Sequence, residues 1–210
     1  MRKVFNPEGW NRQEHYNMFS NMDNPYVGIV AEVECTKAFE FSKSNQISFF
    51  ALYLFCSMQA ENNVQEFKYR IEDDNIYLYD HLDCGTTIGR KDGTFGFALM
   101  NFTQDFEVFN KQLKEQIASV ENSIGLHIKN EDITEGLVRH STMPWTRFTG
   151  LIQPTNYGTK ESIPRIIFGK AYKDKDKMYM PVSVEANHGF VDGIHLAKYL
   201  EEFEKELNKY

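Results

Sequence analysis

Between residues 26 and 35 apolar and polar positions alternate, and Val27, Ile29, Ala31 and Val33 fall on one side, the period-two pattern of a half-buried strand. Residues 48–62 are apolar nearly all round (Phe49, Phe50, Leu52, Tyr53, Leu54, Phe55, Met58), which predicts a buried helix. Helical spacing of Phe106, Phe109, Leu113 and Ile117 predicts an amphipathic helix over 105–122. The last helix, 193–207, carries Ile194, Ala197, Leu200, Phe203 and Leu207 on one face and Glu201, Glu202 and Glu206 elsewhere. A first helix is expected over 7–19, with Pro7 in its first turn, an inward stripe of Trp10, Tyr16 and Phe19, and a break at Asn24-Pro25. Thr36 is the expected N-cap of a short helix over 37–44. A hairpin over 67–79 turns near Asp73-Asp74-Asn75, and two strands over 86–100 turn at Lys91-Asp92-Gly93. Strands are expected at 141–151, 165–171 and 178–186, with a charged turn at 173–177; 125–139 has no regular pattern. Irregular alternation of helices with hairpin-like strands predicts an α/β two-layer sandwich, a mixed, largely antiparallel sheet with helices on one face.

The length of 210 residues suits one domain, 1–210, with a substantial core. Seventeen Phe and eleven Tyr supply stiff apolar bodies for such a core or for an aromatic pocket. A net charge of −7 argues against a nucleic-acid partner, which favours a basic face. No run is apolar and long enough for a membrane span, and the first residues lack a secretory stretch. Cys35, Cys56 and Cys84 are odd in number and widely spaced, so buried free thiols in a reducing, cytoplasmic setting are expected. The glycines form neither a dinucleotide-binding nor a Walker pattern.

The densest candidate chemistry lies in 181–193, a strand running into His188-x-x-x-Asp192-Gly193 and then a helix. By strand parity His188 falls on the apolar side with Val182, Val184 and Ala186, where a lone histidine is ordinarily a satisfied core residue. Asp192 in isolation reads as an N-cap. A strand-to-helix corner can also hold an imidazole rigidly, and imidazole changes protonation state near neutral pH. His188, Asp192 and His195 are spaced 4 and 3 apart, a metal-ligand spacing only on a continuous helix, and Gly189 and the strand before it argue against one. Acid–base chemistry ranks above metal binding, and no metal is expected.

Asn187-His188-Gly189-Phe190-Val191-Asp192-Gly193-Ile194-His195 resembles the H-H-A-V-C-D-G-F-H stretch of chloramphenicol acetyltransferases. Residues 178–184 resemble the strand before it. Trp10-Asn11-Arg12-Gln13-Glu14-His15-Tyr16 is similar to W-x-R-x-E-H-F, Ser141-Thr142-Met143-Pro144-Trp145-Thr146-Arg147-Phe148-Thr149 to S-A-x-P-W-x-x-F-T, and Phe168-Gly169-Lys170 to a G-K step. The motifs are collinear over nearly the whole chain. The resemblance implies the fold of CoA-dependent acyltransferases, a homotrimer with a site at each subunit interface, and acetyl-CoA as co-substrate. It implies that His188 takes the proton of an acceptor hydroxyl, that Asp192 and Arg12 form a structural ion pair, that Ser141 stabilises the tetrahedral oxyanion, and that Trp145 and Lys170 lie near the CoA channel.

The chain also departs from the family pattern. Asn187 replaces the first histidine of the pair, and Ile167 stands where a threonine is common. Met18 and Phe19 fall where aromatic side chains grip the antibiotic, Val27 replaces another of these, and Gly89 falls near one more. These substitutions favour a small hydroxylated acceptor over chloramphenicol itself. Two other readings compete: the catalytic domain of a dihydrolipoyl acyltransferase, and a binding protein of the same fold without turnover.

Overall fold

The computed structural model of the protein describes residues 1–128, 134–156 and 160–210. The N-terminal segment forms a strand, β1 (Arg2–Phe5), followed by a short helix, α1 (Gln13–Phe19). The expected helix over 7–19 is therefore half as long. Gly9 has φ +73°, outside the right-handed helical region, so residues 7–12 turn instead, with the Trp10 N–H on the Pro7 carbonyl. β2 (Tyr26–Glu34) stands where the alternation predicts a strand, although of its expected inward residues Val33 is buried and Ile29 is exposed. In α2 (Thr36–Ser44) the N-cap is Cys35, not Thr36. The Thr36 hydroxyl instead donates to Glu34 and accepts the Met178 N–H, which ties α2 to a strand.

The all-round apolar stretch is α3 (Phe49–Asn62), capped by the Ser48 side chain on the Ala51 N–H. β3 (Tyr69–Glu72) and β4 (Asn75–Tyr79) form the expected hairpin, turning through Asp73 and Asp74, both at positive φ. β1 joins that hairpin as a third strand, a pairing with no signal in its four residues. β5 (Asp83–Gly89), β6 (Phe95–Met100), α4 (Phe106–Glu121), β7 (Leu137–Met143), β8 (Arg165–Gly169), β9 (Tyr172–Asp174), β10 (Lys177–Asn187) and α5 (Gly193–Leu207) complete the described elements. β7 starts four residues before the expected strand and stops at Met143, because Pro144 offers no N–H to a ladder. Part of the stretch without pattern, 129–133, lies outside the described residues. The buried face of α5 is Leu196, Tyr199, Phe203, Glu206 and Leu207, so Glu206 is buried against expectation, whereas Ile194 and Ala197 of the expected stripe are exposed.

The large sheet runs β2-β10-β8-β7-β5-β6, with β9 on β10. β7 pairs in parallel with β5 and β8, and the other pairs are antiparallel. Alternation along the strands gives the sheet two faces. Val182, Val184, Ala186, Ile166 and Phe168 are buried on the helix side, where Phe168 meets Tyr53 of α3 and Phe203 of α5. Thr87, Ser141, Ile167, Ser183 and Glu185 point from the other face, which no helix covers among the described residues.

Candidate active site

β10 ends at Asn187, paired with Tyr26 of β2, and His188 lies one residue beyond. Strand parity therefore no longer applies to it. Its side chain keeps 30% exposure instead of joining the apolar face. The corner is held by backbone bonds: the His188 N–H donates to the Pro25 carbonyl at 2.8 Å, and the Gly189 N–H to the Asn187 side chain at 2.9 Å. Asn187 in turn donates to the Glu161 carbonyl.

The imidazole is fixed on three sides. Nδ1 lies 2.8 Å from the Val191 carbonyl, which can only accept, and 3.3 Å from the Asp192 carboxylate, so in the neutral ring the proton belongs on Nδ1 and the lone pair on Nε2. Phe19 stacks on the ring at 3.9 Å between centroids, 23° from parallel. The Arg12 guanidinium makes a two-pronged pair with Asp192 and also donates to the His188 carbonyl at 3.2 Å. Its hydrogen bonds hold the Asp192 carboxyl below the usual carboxylate range against the opposing effect of burial. Asp192 is the N-cap residue of α5, and its backbone N–H donates to His195 Nδ1 at 2.9 Å.

Arg12, Phe19, His188 and Asp192 thus come together; Ser141 does not join them within one chain. Ser141 pairs with Ile167, and Ile167 with Ser183, five residues before His188 on β10. That register separates the two side chains by roughly 16 Å along the strands and about 10 Å across them. Ser141 accepts or donates a 3.1 Å bond with Thr87 on the next strand, a partner that sequence reading could not identify because only the fold sets β5 beside β7. Ile167 is buried and presents hydrocarbon to the same face. Trp145 is 83% exposed, and Lys170 is brought beside it by a bond from its N–H to the Thr146 carbonyl at 2.9 Å. Met18 is exposed on α1, and Val27 lines a groove beside β2.

Behind Ser141 lies a cluster the sequence did not announce. The His140 side chain is fully buried. Its Nε2 sits 3.0 Å from the Glu61 carboxylate and 3.2 Å from the Ser57 hydroxyl, which bonds Tyr199; its Nδ1 meets the Gly85 carbonyl at 3.1 Å. Burial opposes a charge on His140, but the facing Cys84 sulfur and Glu61 carboxylate more than offset it and raise its pKa well above the ordinary value. Burial also raises the Glu61 pKa, against the lowering effect of the facing His140.

A model of the chloramphenicol acetyltransferase family matches residues 4–204. A chloramphenicol acetyltransferase of Campylobacter coli is 25% identical over 202 residues, 95% of each chain. One of Proteus mirabilis is 23% identical over 93% of this chain and 90% of its own. Among solved structures, a chloramphenicol acetyltransferase superposes with TM-score 0.92 at 30% identity, over 99% of this chain and 100% of the other. A dihydrolipoamide acetyltransferase of Azotobacter vinelandii shares the fold at TM-score 0.71 and 12% identity, over 93% and 86% of the two chains.

Proposed function

The chain belongs to the chloramphenicol acetyltransferase family, a family of acyltransferases, and on that premise we propose that it transfers the acetyl group of acetyl-CoA to a hydroxyl of a small acceptor, with His188 as general base. The observation that carries this reading is the Nδ1 bond to the Val191 carbonyl, which leaves Nε2 of a part-exposed ring as the basic nitrogen. The acceptor hydroxyl loses its proton to Nε2, its oxygen bonds the thioester carbon, and the C–S bond then breaks. The proton passes to the departing CoA sulfur. Ser141, with Thr87 behind it, donates to the oxyanion that forms in between. Arg12 and Asp192 are positioning residues that hold the corner. Met18, Phe19, Val27 and Ile167 face the acceptor, and Trp145 and Lys170 the CoA.

Residues 1–210 act as one domain, and the distance between His188 and Ser141 in one chain supports a homotrimer in which they meet across an interface. That same distance favours a second reading, a binding protein, should the chain stay a monomer. Sedimentation separates the two, together with CoA thiol release from acetyl-CoA in the presence of chloramphenicol or a panel of hydroxylated acceptors. A trimer that releases thiol supports the transferase; no thiol release with any acceptor overturns it.

A further inference from the structure

The corner that carries His188 is folded around one side chain. Asn187, the last residue of β10, is 2% exposed, and the three N–H groups that follow His188 all end on it. The Gly189 N–H donates to its side-chain oxygen at 2.9 Å, and the Phe190 and Val191 N–H groups donate to its backbone carbonyl at 3.0 Å each. Its side-chain nitrogen donates to the Glu161 carbonyl at 2.9 Å. Both ends of the amide are therefore used, one as acceptor and one as donor. The Glu161 carboxylate pairs with Arg139 of β7 and Arg165 of β8, so the segment that receives the Asn187 bond is itself tied to the sheet.

The turn closes back on the ring. The two bonds to the Asn187 carbonyl curl residues 188–191, and the curl brings the Val191 carbonyl to 2.8 Å from His188 Nδ1. Phe190 is also held by its side chain, which packs on Tyr16 and on Tyr69 at 5.4 Å between centroids in each case. Gly189 has no side chain to pack and is the residue of the turn with the greatest backbone freedom. The Asn187 oxygen supplies its hold, a side-chain acceptor two residues upstream of the N–H that it takes, in the manner of an Asx-turn. The approach is tight. A Cβ at residue 189 would stand 3.0 Å from that oxygen and 3.2 Å from the Tyr16 ring, so glycine is what lets the oxygen reach the N–H.

We propose that Asn187 is a positioning residue of the base: by taking the Gly189 N–H it sets the turn that holds the Val191 carbonyl on Nδ1, and so decides which nitrogen of neutral His188 carries the proton. Its consequence for turnover rests on the acyltransferase reading; its consequence for the imidazole does not. A leucine in its place fills nearly the same volume and offers no acceptor, which leaves the buried Gly189 N–H unpaired and favours a different turn. A serine keeps a weaker acceptor within reach of the same N–H.

Proton–nitrogen magnetic resonance of the full chain with isotope-labelled histidine, recorded where the imidazoles are neutral, reads the tautomer, and His188→Ala identifies the signals. Wild type should show His188 protonated on Nδ1. Asn187→Leu should move the proton toward Nε2 and lower kcat for thiol release roughly 10- to 100-fold through misplacement of the ring, with KM for acetyl-CoA little changed. Asn187→Ser should keep the wild-type tautomer and recover most of that loss. Wild type protonated on Nε2, a leucine variant that melts lower but keeps its proton on Nδ1, or a serine variant that loses the tautomer as the leucine variant does would each overturn the assignment. The wild-type and serine measurements decide the matter if the leucine variant fails to fold. Tautomers as expected without thiol release from wild type would sink the transferase reading and leave the role of Asn187 standing.

Discussion

His140 and His188 are tethered alike and exposed in opposite ways. Each imidazole sets Nδ1 against a backbone carbonyl, Gly85 at 3.1 Å and Val191 at 2.8 Å, and so each turns Nε2 toward its surroundings. For His140 those surroundings are Glu61 and Ser57 in a sealed core; the His188 ring is instead 30% exposed, with Phe19 stacked on its face. The carbonyl decides which nitrogen is basic. Burial decides whether its proton can be exchanged with a substrate. A buried imidazole facing a carboxylate is a structural ion pair, and a part-exposed imidazole facing none through Nε2 is available for chemistry.

The largest effect that would sharpen this contrast is on turnover. His188→Ala should lower kcat by about 10²–10⁴-fold and leave the melting temperature near wild type, whereas His140→Ala should lower the melting temperature and keep most of kcat. Equal losses of activity from the two would break the comparison. Next is the buried pair itself. Glu61→Ala strands a sealed imidazolium and should cost about 3–5 kcal/mol in urea unfolding, while a joint His140→Phe, Glu61→Leu replacement should recover most of that loss. A smaller effect is expected at the corner: Asp192→Asn weakens the grip of Arg12 and should reduce kcat roughly 10- to 100-fold through misplacement of the ring, with KM for acetyl-CoA little changed.

The smallest effect is a pH dependence of stability. The folded pKa of His140 is raised, so its contribution is fully present below the unfolded value of about 6.5 and is lost as pH rises through the folded value. Melting curves of wild type minus the doubly apolar variant, taken from neutral to alkaline pH, should show a difference that declines upward. A difference growing with pH would mean that His140 is buried in its neutral form.

The sequence announced the elements whose periodicity is long and regular: α3, α4, β2 and the hairpin β3–β4 all stand where apolar spacing and turn residues put them. It did not announce β1, whose four residues acquire a partner only from the fold, nor the late start of the first helix at Gln13, after the positive-φ Gly9. Arg12, His188 and Asp192 were legible because their neighbours form a motif. Val191 and Pro25 were not, since they act through backbone carbonyls that any residue would supply. His140 was overlooked for another reason: on a strand its partners Glu61 and Ser57 come from a helix some eighty residues earlier, and no local pattern encodes that meeting.

The spacing of Ser141 and His188 across the sheet has a genetic corollary. On the proposed homotrimer, an allele encoding Ala at position 188 and one encoding Ala at position 141 should rescue each other when co-expressed, since a mixed assembly would recreate junctions where an intact imidazole from one polypeptide confronts an intact hydroxyl from its neighbour. The same two lesions combined in a single gene should defy rescue by either parent allele to the same degree.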